Sequence, residues 1–229
     1  NIVGTINLVN ACLKSGFEIF VNTGTSSEYG FKDHRPGENE ILDPNSYYAF
    51  TKASATMFCH YTAISQNVYI QTLRLYSVYG PFEEPTRLIP VLILNAFKGK
   101  LPHRLVSPAV AHDLMYIEDA EDAYIKTATL SKQEPGAIYN VGTGVQMSIR
   151  DVIEIVRKMF NIKQEPNWDS MPCREWDNSI WVADNRKIQE IVGWKAKYDF
   201  QEGLQKTATW FNDNPKLLKY YQERLDYNI

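Results

Sequence analysis

The chain has 229 residues, a formal net charge of −3 and a sequence pI near 5.9. This charge gives no support for a surface that binds nucleic acid or anionic membranes. No apolar run approaches the roughly 20 residues that span a bilayer. With 44% hydrophobic and 22% charged residues, the composition is that of a globular protein with one sizeable core and room for a small subdomain.

The residues that commonly bind metals are scattered along the sequence. The three cysteines, Cys12, Cys59 and Cys173, are widely spaced, and the four histidines follow no ligand pattern. The amino terminus lacks the basic and apolar stretches of a secretory signal. We therefore expect reduced thiols, no metal site and a cytoplasmic location.

The first elements in chain order are a helix and a strand. Ile2, Ile6 and Val9 lie at helical spacing, which predicts a helix over residues 1–15 that ends at Gly16. A continuous apolar run over 17–23 is typical of a central parallel strand covered on both faces. A loop rich in hydroxyls and glycine follows this strand.

The next helix, predicted over residues 47–66, carries the most informative pair. Tyr48 and Lys52 are four residues apart, so both side chains project from the same helix face. An ammonium stabilises a nearby phenolate, and the pair can therefore accept and return a proton. The spacing alone is weak evidence, because a solvated lysine beside a half-buried tyrosine is equally compatible with it.

The remaining elements follow the same alternation of strands and helices. A strand is predicted over 69–75, a helix over 87–98 and a short edge strand within 100–108. Further on, the patterns predict a helix at 118–130, a strand at 137–141, and helices at 148–160, 200–211 and 215–229. Gly142-Thr143-Gly144 is not a phosphate-binding loop, because it follows a late strand and lacks a third glycine.

These motifs in this order resemble the NAD-dependent epimerase/dehydratase family, the nucleotide-sugar branch of the extended short-chain dehydrogenases/reductases. The resemblance implies an α/β fold with a doubly wound, Rossmann-like parallel sheet. Residues 1–108 would form the C-terminal part of the dinucleotide-binding domain. Residues 109–229 would return to the sheet and form a small substrate-binding lobe.

One family feature has no counterpart in the sequence. The G-x-x-G-x-x-G turn, whose backbone amides hold a dinucleotide pyrophosphate, does not occur. We expect an N-terminally incomplete fragment. The alternative is a protein that has lost half of its cofactor site.

The resemblance assigns roles to several residues. Tyr48 would act as base, Lys52 would hold the nicotinamide ribose, and Thr25 would hydrogen-bond the reacting sugar oxygen. Asn1 and Thr23 would contact the cofactor together with Tyr48 and Lys52. The expected cofactor is NAD, with NADP left open.

A nucleotide-diphosphate sugar is the expected substrate. Its predicted contacts are Ser26, Ser27, Ser77, Arg87, His112 and Arg174. Ser77 stands where the family has asparagine, and His112 where it has an arginine that meets the diphosphate. Arg174 is the candidate diphosphate clamp, because a guanidinium matches phosphate oxygens. A surface pairing of Arg174 with Asp177 is the alternative.

The loop after the first strand favours one reaction class. Sugar dehydratases of the family typically have Asp-Glu directly after the catalytic threonine, whereas this chain has Ser26 and Ser27, with Glu28 one step further. Dehydration is therefore disfavoured, and epimerisation ranks above ketosugar reduction. A non-catalytic binding protein and an unrelated α/β domain remain alternatives. The resemblance also implies a homodimer through the helices at 2–15 and 47–66.

Overall fold

The computed structural model describes residues 1–172 and 180–226. In chain order the elements are α1 (Ile2–Ser15), β1 (Phe20–Thr25), a 3₁₀ turn (Ser26–Tyr29), α2 (Tyr47–Gln66), β2 (Ile70–Leu75), β3 (Ser77–Tyr79), α3 (Leu88–Ala96), β4 (Ala111–His112), β5 (Leu114–Tyr116), α4 (Ile117–Ala128), β6 (Ile138–Val141), β7 (Met147–Ser148), α5 (Ile149–Met159), α6 (Arg186–Val192), α7 (Phe200–Asp213) and α8 (Pro215–Asp226).

The main sheet is parallel and has the strand order β1-β2-β6. The central strand β2 pairs with β1 on one side and β6 on the other, and Leu75 lies opposite both Thr25 and Val141. The carboxyl ends of the three strands are therefore level. This is the edge at which open α/β sheets bind their ligands.

Helices cover both faces of the sheet. On one face Ile70 of β2 packs with Val9 of α1 and Cys59 of α2. On the other face Leu73 packs with Ala123 of α4 and Ile188 of α6. The predicted doubly wound parallel arrangement is confirmed, because residues at alternating strand positions face opposite helix layers.

A third and larger core lies beyond the main sheet. It joins α3, α5, α7 and Tyr221 of α8. Two small strand pairs flank it, namely the parallel pair β3 and β5 and the antiparallel pair β4 and β7. The second half of the chain thus contributes β6 to the main sheet and builds a separate apolar cluster.

One predicted element is wrong. Residues 100–108 form no strand, and the backbone of Leu105 instead bonds Ser170: its N–H donates to the serine hydroxyl at 2.9 Å and its carbonyl accepts the serine N–H at 3.1 Å. Hydrogen bonds to a loop thus replace those of a strand partner. Over the described residues, no helix is long and apolar enough to cross a membrane.

The carboxyl group of Glu83 is buried beneath the C-terminal helices. Its Oε2 atom has no hydrogen-bond partner among the described residues, and the hydroxyl of Tyr221 donates to the Glu83 carbonyl at 2.6 Å. Burial raises the pKa of Glu83 to about 8, although the charge of Arg87 opposes the shift. The folded state therefore favours the protonated carboxyl.

This raised pKa predicts a pH-dependent loss of stability. The unfolded chain releases the Glu83 proton near pH 4.5, whereas the folded chain holds it to about pH 8. Rising pH between these values thus lowers the free energy of unfolding, by an amount on the order of 3 kcal/mol. Glu83→Gln should remove this dependence and be more stable than the wild type at pH 8.

Urea denaturation at pH 5, 6.5 and 8 measures the effect. Glu84→Gln, a change at the neighbouring exposed carboxylate, is the control. Parallel stability curves for the wild type and Glu83→Gln across this range would show that Glu83 ionises normally.

Candidate active site

The loop at the end of β1 begins with a structured turn. Thr25 ends β1 and caps the 3₁₀ turn that follows, and its hydroxyl accepts the N–H of Ser27 at 3.3 Å. Thr25 is buried, with 8% of its surface exposed. The backbone of this loop is therefore fixed directly at the carboxyl edge of the sheet.

Helix α2 presents Tyr48 and Lys52 beside the same edge. The hydroxyl of Ser46 caps the helix by accepting the N–H of Ala49 at 3.1 Å, so the helix begins immediately before Tyr48. The Tyr48 side chain is 54% exposed, whereas Lys52 is half-buried. The Lys52 ammonium donates to the carbonyl of Thr23 in β1.

Burial lowers the pKa of Lys52, and the Glu28 carboxylate opposes this shift. An ammonium carries three donors, and the Thr23 carbonyl takes one of them. The remaining donors can serve a ligand at the open end of the sheet.

The two other predicted cofactor contacts lie close to this helix. The side-chain amide of Asn1 donates to the Thr51 hydroxyl at 3.0 Å, which ties the start of α1 to α2. The hydroxyls of Thr23 and Tyr124 are hydrogen-bonded at 2.5 Å. The Thr23 carbonyl therefore meets Lys52 on the α2 side of the sheet, whereas the Thr23 hydroxyl meets Tyr124 of α4 on the opposite face.

The donors present fit part of a dinucleotide. The exposed phenol of Tyr48 and the ammonium of Lys52 suit the hydroxyls of a ribose. The printed sequence contains no glycine-rich turn that could take the pyrophosphate. These residues would thus hold only the nicotinamide end of NAD.

The predicted substrate contacts fall at several places. Ser26 is buried and lines a small pocket with Tyr76 and Trp181, while Ser27 is partly exposed. Ser77 begins β3, and its hydroxyl lies 3.4 Å from Nδ1 of His112. Ser77 and His112, the two positions at which this chain departs from the family pattern, thus lie side by side. They meet because β3 pairs with β5, the strand that follows His112.

Of the two predicted arginine contacts, the structure describes one. Arg87 is exposed and directly precedes α3, without a side-chain cap. Arg174 lies outside the described residues, and its predicted role as a diphosphate clamp stays a prediction.

Glu28 points into the protein rather than into the cleft. Its side chain is fully buried, and its Oε2 atom pairs with Nε of Arg74 at 2.9 Å. Arg74 also donates to the hydroxyl of Tyr29 at 2.8 Å and to the carbonyl of Glu38 at 3.0 Å. The Glu28 carboxylate is therefore held by Arg74 inside the protein.

Asp113, which directly follows His112, is a buried carboxylate. Its carboxylate accepts four hydrogen bonds, from the backbone of Thr143, Gly144 and Ala183 and from the Thr143 hydroxyl. Burial raises its pKa, and these bonds oppose the shift. Asp113 thus fixes the turn after β6 beside His112.

Sequence reasoning missed Arg74 and Thr56 as supports of the site. The signal for Arg74 was present, since a charged residue within a central buried strand requires a buried partner. Thr56 gave no such signal, because a threonine on a helix face is ordinary. Only the fold shows that its hydroxyl donates to Glu28 at 2.9 Å.

Comparison with known proteins identifies the family. Residues 1–142 match the NAD dependent epimerase/dehydratase family. A trifunctional UDP-glucose 4,6-dehydratase/UDP-4-keto-6-deoxy-D-glucose 3,5-epimerase/UDP-4-keto-L-rhamnose-reductase from Arabidopsis thaliana is 32% identical over 94% of this chain and 33% of its own length. A dTDP-D-glucose 4,6-dehydratase from Mus musculus is 29% identical over 93% of the chain and 61% of its own length. The chain thus spans less than two thirds of either relative.

Solved structures of similar fold indicate the same family. A dTDP-glucose 4,6-dehydratase from Bacillus anthracis in complex with NAD superimposes with a TM-score of 0.84 at 26% identity, covering 96% of this chain and 70% of that one. A UDP-glucuronic acid 4-epimerase from Bacillus cereus, in complex with UDP-glucuronic acid and NAD, superimposes with a TM-score of 0.85 at 25% identity and covers 93% and 67%. The chain belongs to the NAD-dependent epimerase/dehydratase family of enzymes.

Proposed function

We propose that the protein to which this chain belongs epimerises a nucleotide-activated sugar through a transient keto-sugar intermediate. The observation that carries the proposal is the site at the carboxyl edge of the sheet. There the Lys52 ammonium donates to the carbonyl of Thr23 in β1. The exposed Tyr48 precedes Lys52 by one turn of α2. Relatives of both reaction types, a UDP-sugar epimerase and nucleotide-sugar dehydratases, support a nucleotide sugar as substrate.

Tyr48 removes the proton of the sugar hydroxyl, and bound NAD supplies the hydride acceptor. Lys52 holds the nicotinamide ribose and stabilises the phenolate with its positive charge. Thr25 hydrogen-bonds the reacting oxygen and keeps it near the phenol. Asn1 and Thr23 support the cofactor side through their contacts with α2 and Tyr124.

The substrate contacts are assigned to the carboxyl edge and the second half of the chain. Ser26 and Ser27 face the sugar, and Ser77 with His112 lies next along the edge. Arg87 and Arg174 meet the diphosphate. In this assignment residues 1–108 hold the cofactor, whereas residues 109–229 hold much of the nucleotide sugar.

The loop chemistry favours epimerisation over dehydration. Elimination of water needs an acid and a base beside the sugar. Ser26 and Ser27 carry no charge, and the Glu28 carboxylate forms a buried ion pair with Arg74. An oxidised sugar can instead receive the hydride on its other face, which inverts the carbon.

Reduction of an existing keto sugar is the second candidate, because it uses the same residues in the reverse direction. It is distinguished by net consumption of NADH or NADPH, whereas an epimerase leaves the cofactor unchanged. A non-catalytic nucleotide-sugar-binding protein is the candidate of another class. It would bind the sugar nucleotide without turnover.

Replacement of the phenol tests the proposed base. Tyr48→Phe should lower turnover by about 100-fold or more, because the proton loses its acceptor. Its affinity for the nucleotide sugar should stay within about twofold, since Phe keeps the ring. The assay uses UDP-glucose, dTDP-glucose and UDP-glucuronic acid with NAD and the complete natural polypeptide that contains this sequence.

Tyr47→Phe is the matched control, because the neighbouring phenol is 93% exposed. It should keep full turnover. Equal turnover in Tyr48→Phe and the wild type would mean that another group takes the proton.

We also propose a homodimer through α1 and α2. Helix α2 leaves an apolar stripe exposed at Phe50, Met57, Tyr61 and Ile64, each with more than half of its surface accessible. These positions recur at spacings of 7, 4 and 3 residues, which is a helix-pairing pattern. Val3 and Leu8 of α1 add to this surface.

Introduction of a charge into this stripe tests the dimer. Met57→Glu should weaken self-association by about tenfold or more, because pairing would bury an unpaired carboxylate. Ile41→Glu is the control, since Ile41 is 86% exposed in a loop. Sedimentation equilibrium of the two variants measures the effect. A monomeric wild type, or equal association in both variants, would contradict the dimer.

A further inference from the structure

The Glu28 carboxylate has three hydrogen-bond partners in three different elements. Its Oε1 atom accepts the N–H of Thr25 at 3.0 Å and the hydroxyl of Thr56 at 2.9 Å. Its Oε2 atom accepts Nε of Arg74 at 2.9 Å. The side chain is fully buried, so no solvent competes for these bonds.

Each partner is connected to the proposed active site. Thr25 carries the hydroxyl proposed to hold the reacting oxygen. Thr56 lies one turn after Lys52 on α2, and Arg74 lies in β2, next to the strand that Lys52 contacts. One carboxylate therefore joins the loop, the helix and the sheet that carry the site.

The surrounding packing leaves the carboxylate little freedom. A Cβ atom at Gly24 would lie 2.9 Å from Oε1 of Glu28 and 2.8 Å from a methyl carbon of Thr72. Glycine thus allows the carboxylate to approach the backbone of β1. Arg74 is held on its other side, where its guanidinium carbon lies 4.7 Å from the centre of the Tyr29 ring.

We propose that Glu28 is a positioning residue that sets the distance between the Thr25 hydroxyl and the Tyr48–Lys52 face of α2. The inference rests on the proposed function and deepens it. The Thr56 hydroxyl is the connection to the helix, and the ion pair with Arg74 is the anchor to the sheet. Glu28 itself does not contact the substrate.

The charge of Glu28 has a second consequence at Lys52. Among the described residues, the titratable groups that act on the Lys52 ammonium are Glu28 and Cys59, and the Cys59 thiol is buried. Burial lowers the pKa of Lys52, while the carboxylate opposes this change. Loss of the carboxylate charge should therefore make Lys52 release its proton at a lower pH.

Two substitutions at Thr56 separate positioning from packing. Thr56→Val keeps the shape and removes the hydroxyl, whereas Thr56→Ser keeps the hydroxyl and removes a methyl group. We expect kcat to fall by about tenfold in Thr56→Val with unchanged KM, and Thr56→Ser to retain most of the wild-type kcat. Equal losses, or a larger loss in Thr56→Ser, would overturn the proposal, because a packing role predicts that order.

A titration of Lys52 tests the effect of the Glu28 charge on the ammonium without an activity assay. In the complete natural polypeptide, the ε-amine of isotope-labelled Lys52 is followed by NMR, and its titration midpoint should fall by about half a pH unit or more in Glu28→Gln. Glu38→Gln, a change at a carboxylate that bonds the N–H of Asn140, should leave the midpoint unchanged. An unshifted midpoint in Glu28→Gln would overturn the proposal.

The two measurements separate this inference from the proposed function. Absence of turnover in the wild type would count against the proposed function alone, and the Lys52 titration would still decide the role of Glu28. If Glu28→Gln does not fold, the order of the two Thr56 variants decides it.

Discussion

The buried ion pair between Glu28 and Arg74 is the constraint on which the site depends. Both side chains are removed from water, Arg74 with 2% of its surface exposed. Such a pair is tolerated only when the remaining donors and acceptors are also satisfied. Here Thr25 and Thr56 donate to the carboxylate, and Tyr29 and the Glu38 carbonyl accept from the guanidinium. Loss of one partner would leave an unpaired buried charge, which typically costs about 3–5 kcal/mol.

This constraint also shapes the chemistry of the cleft. Because the carboxylate is turned inward, the groups of this loop that the proposed function assigns to the substrate are the hydroxyls of Thr25, Ser26 and Ser27. Hydroxyls can orient a sugar oxygen, but they are poor acids and bases at neutral pH. In the proposed function, the proton transfer then falls to the phenol of Tyr48, supported by the cation of Lys52. Although the family includes dehydratases, the site proposed here is thus suited to proton and hydride transfer.

Much of this arrangement could be predicted from the sequence. The continuous apolar runs predicted the parallel strands, and the spacing of Tyr48 and Lys52 placed both on one helix turn. The structure confirms both elements. The predicted edge strand at 100–108 is wrong, because the backbone hydrogen bonds of Leu105 go to Ser170, a residue far along the chain. Local pattern carries no information about such a partner.

The polar connections were the least predictable part. Arg74 within a buried strand indicated a buried partner but not its identity. Ser77 and His112 are separated by 35 residues, and they meet only because β3 pairs with β5. Contacts of this kind depend on topology, which follows from the whole chain rather than from one segment.

The mass of the reaction product tests the central claim most directly. With a nucleotide hexose and NAD supplied, the account predicts a product of unchanged mass, with one inverted carbon and no net change in NAD. Mass spectrometry and proton NMR of the product measure both properties. A product lighter by one water would contradict the account, because it would require an acid and a base that the inward-facing Glu28 does not supply.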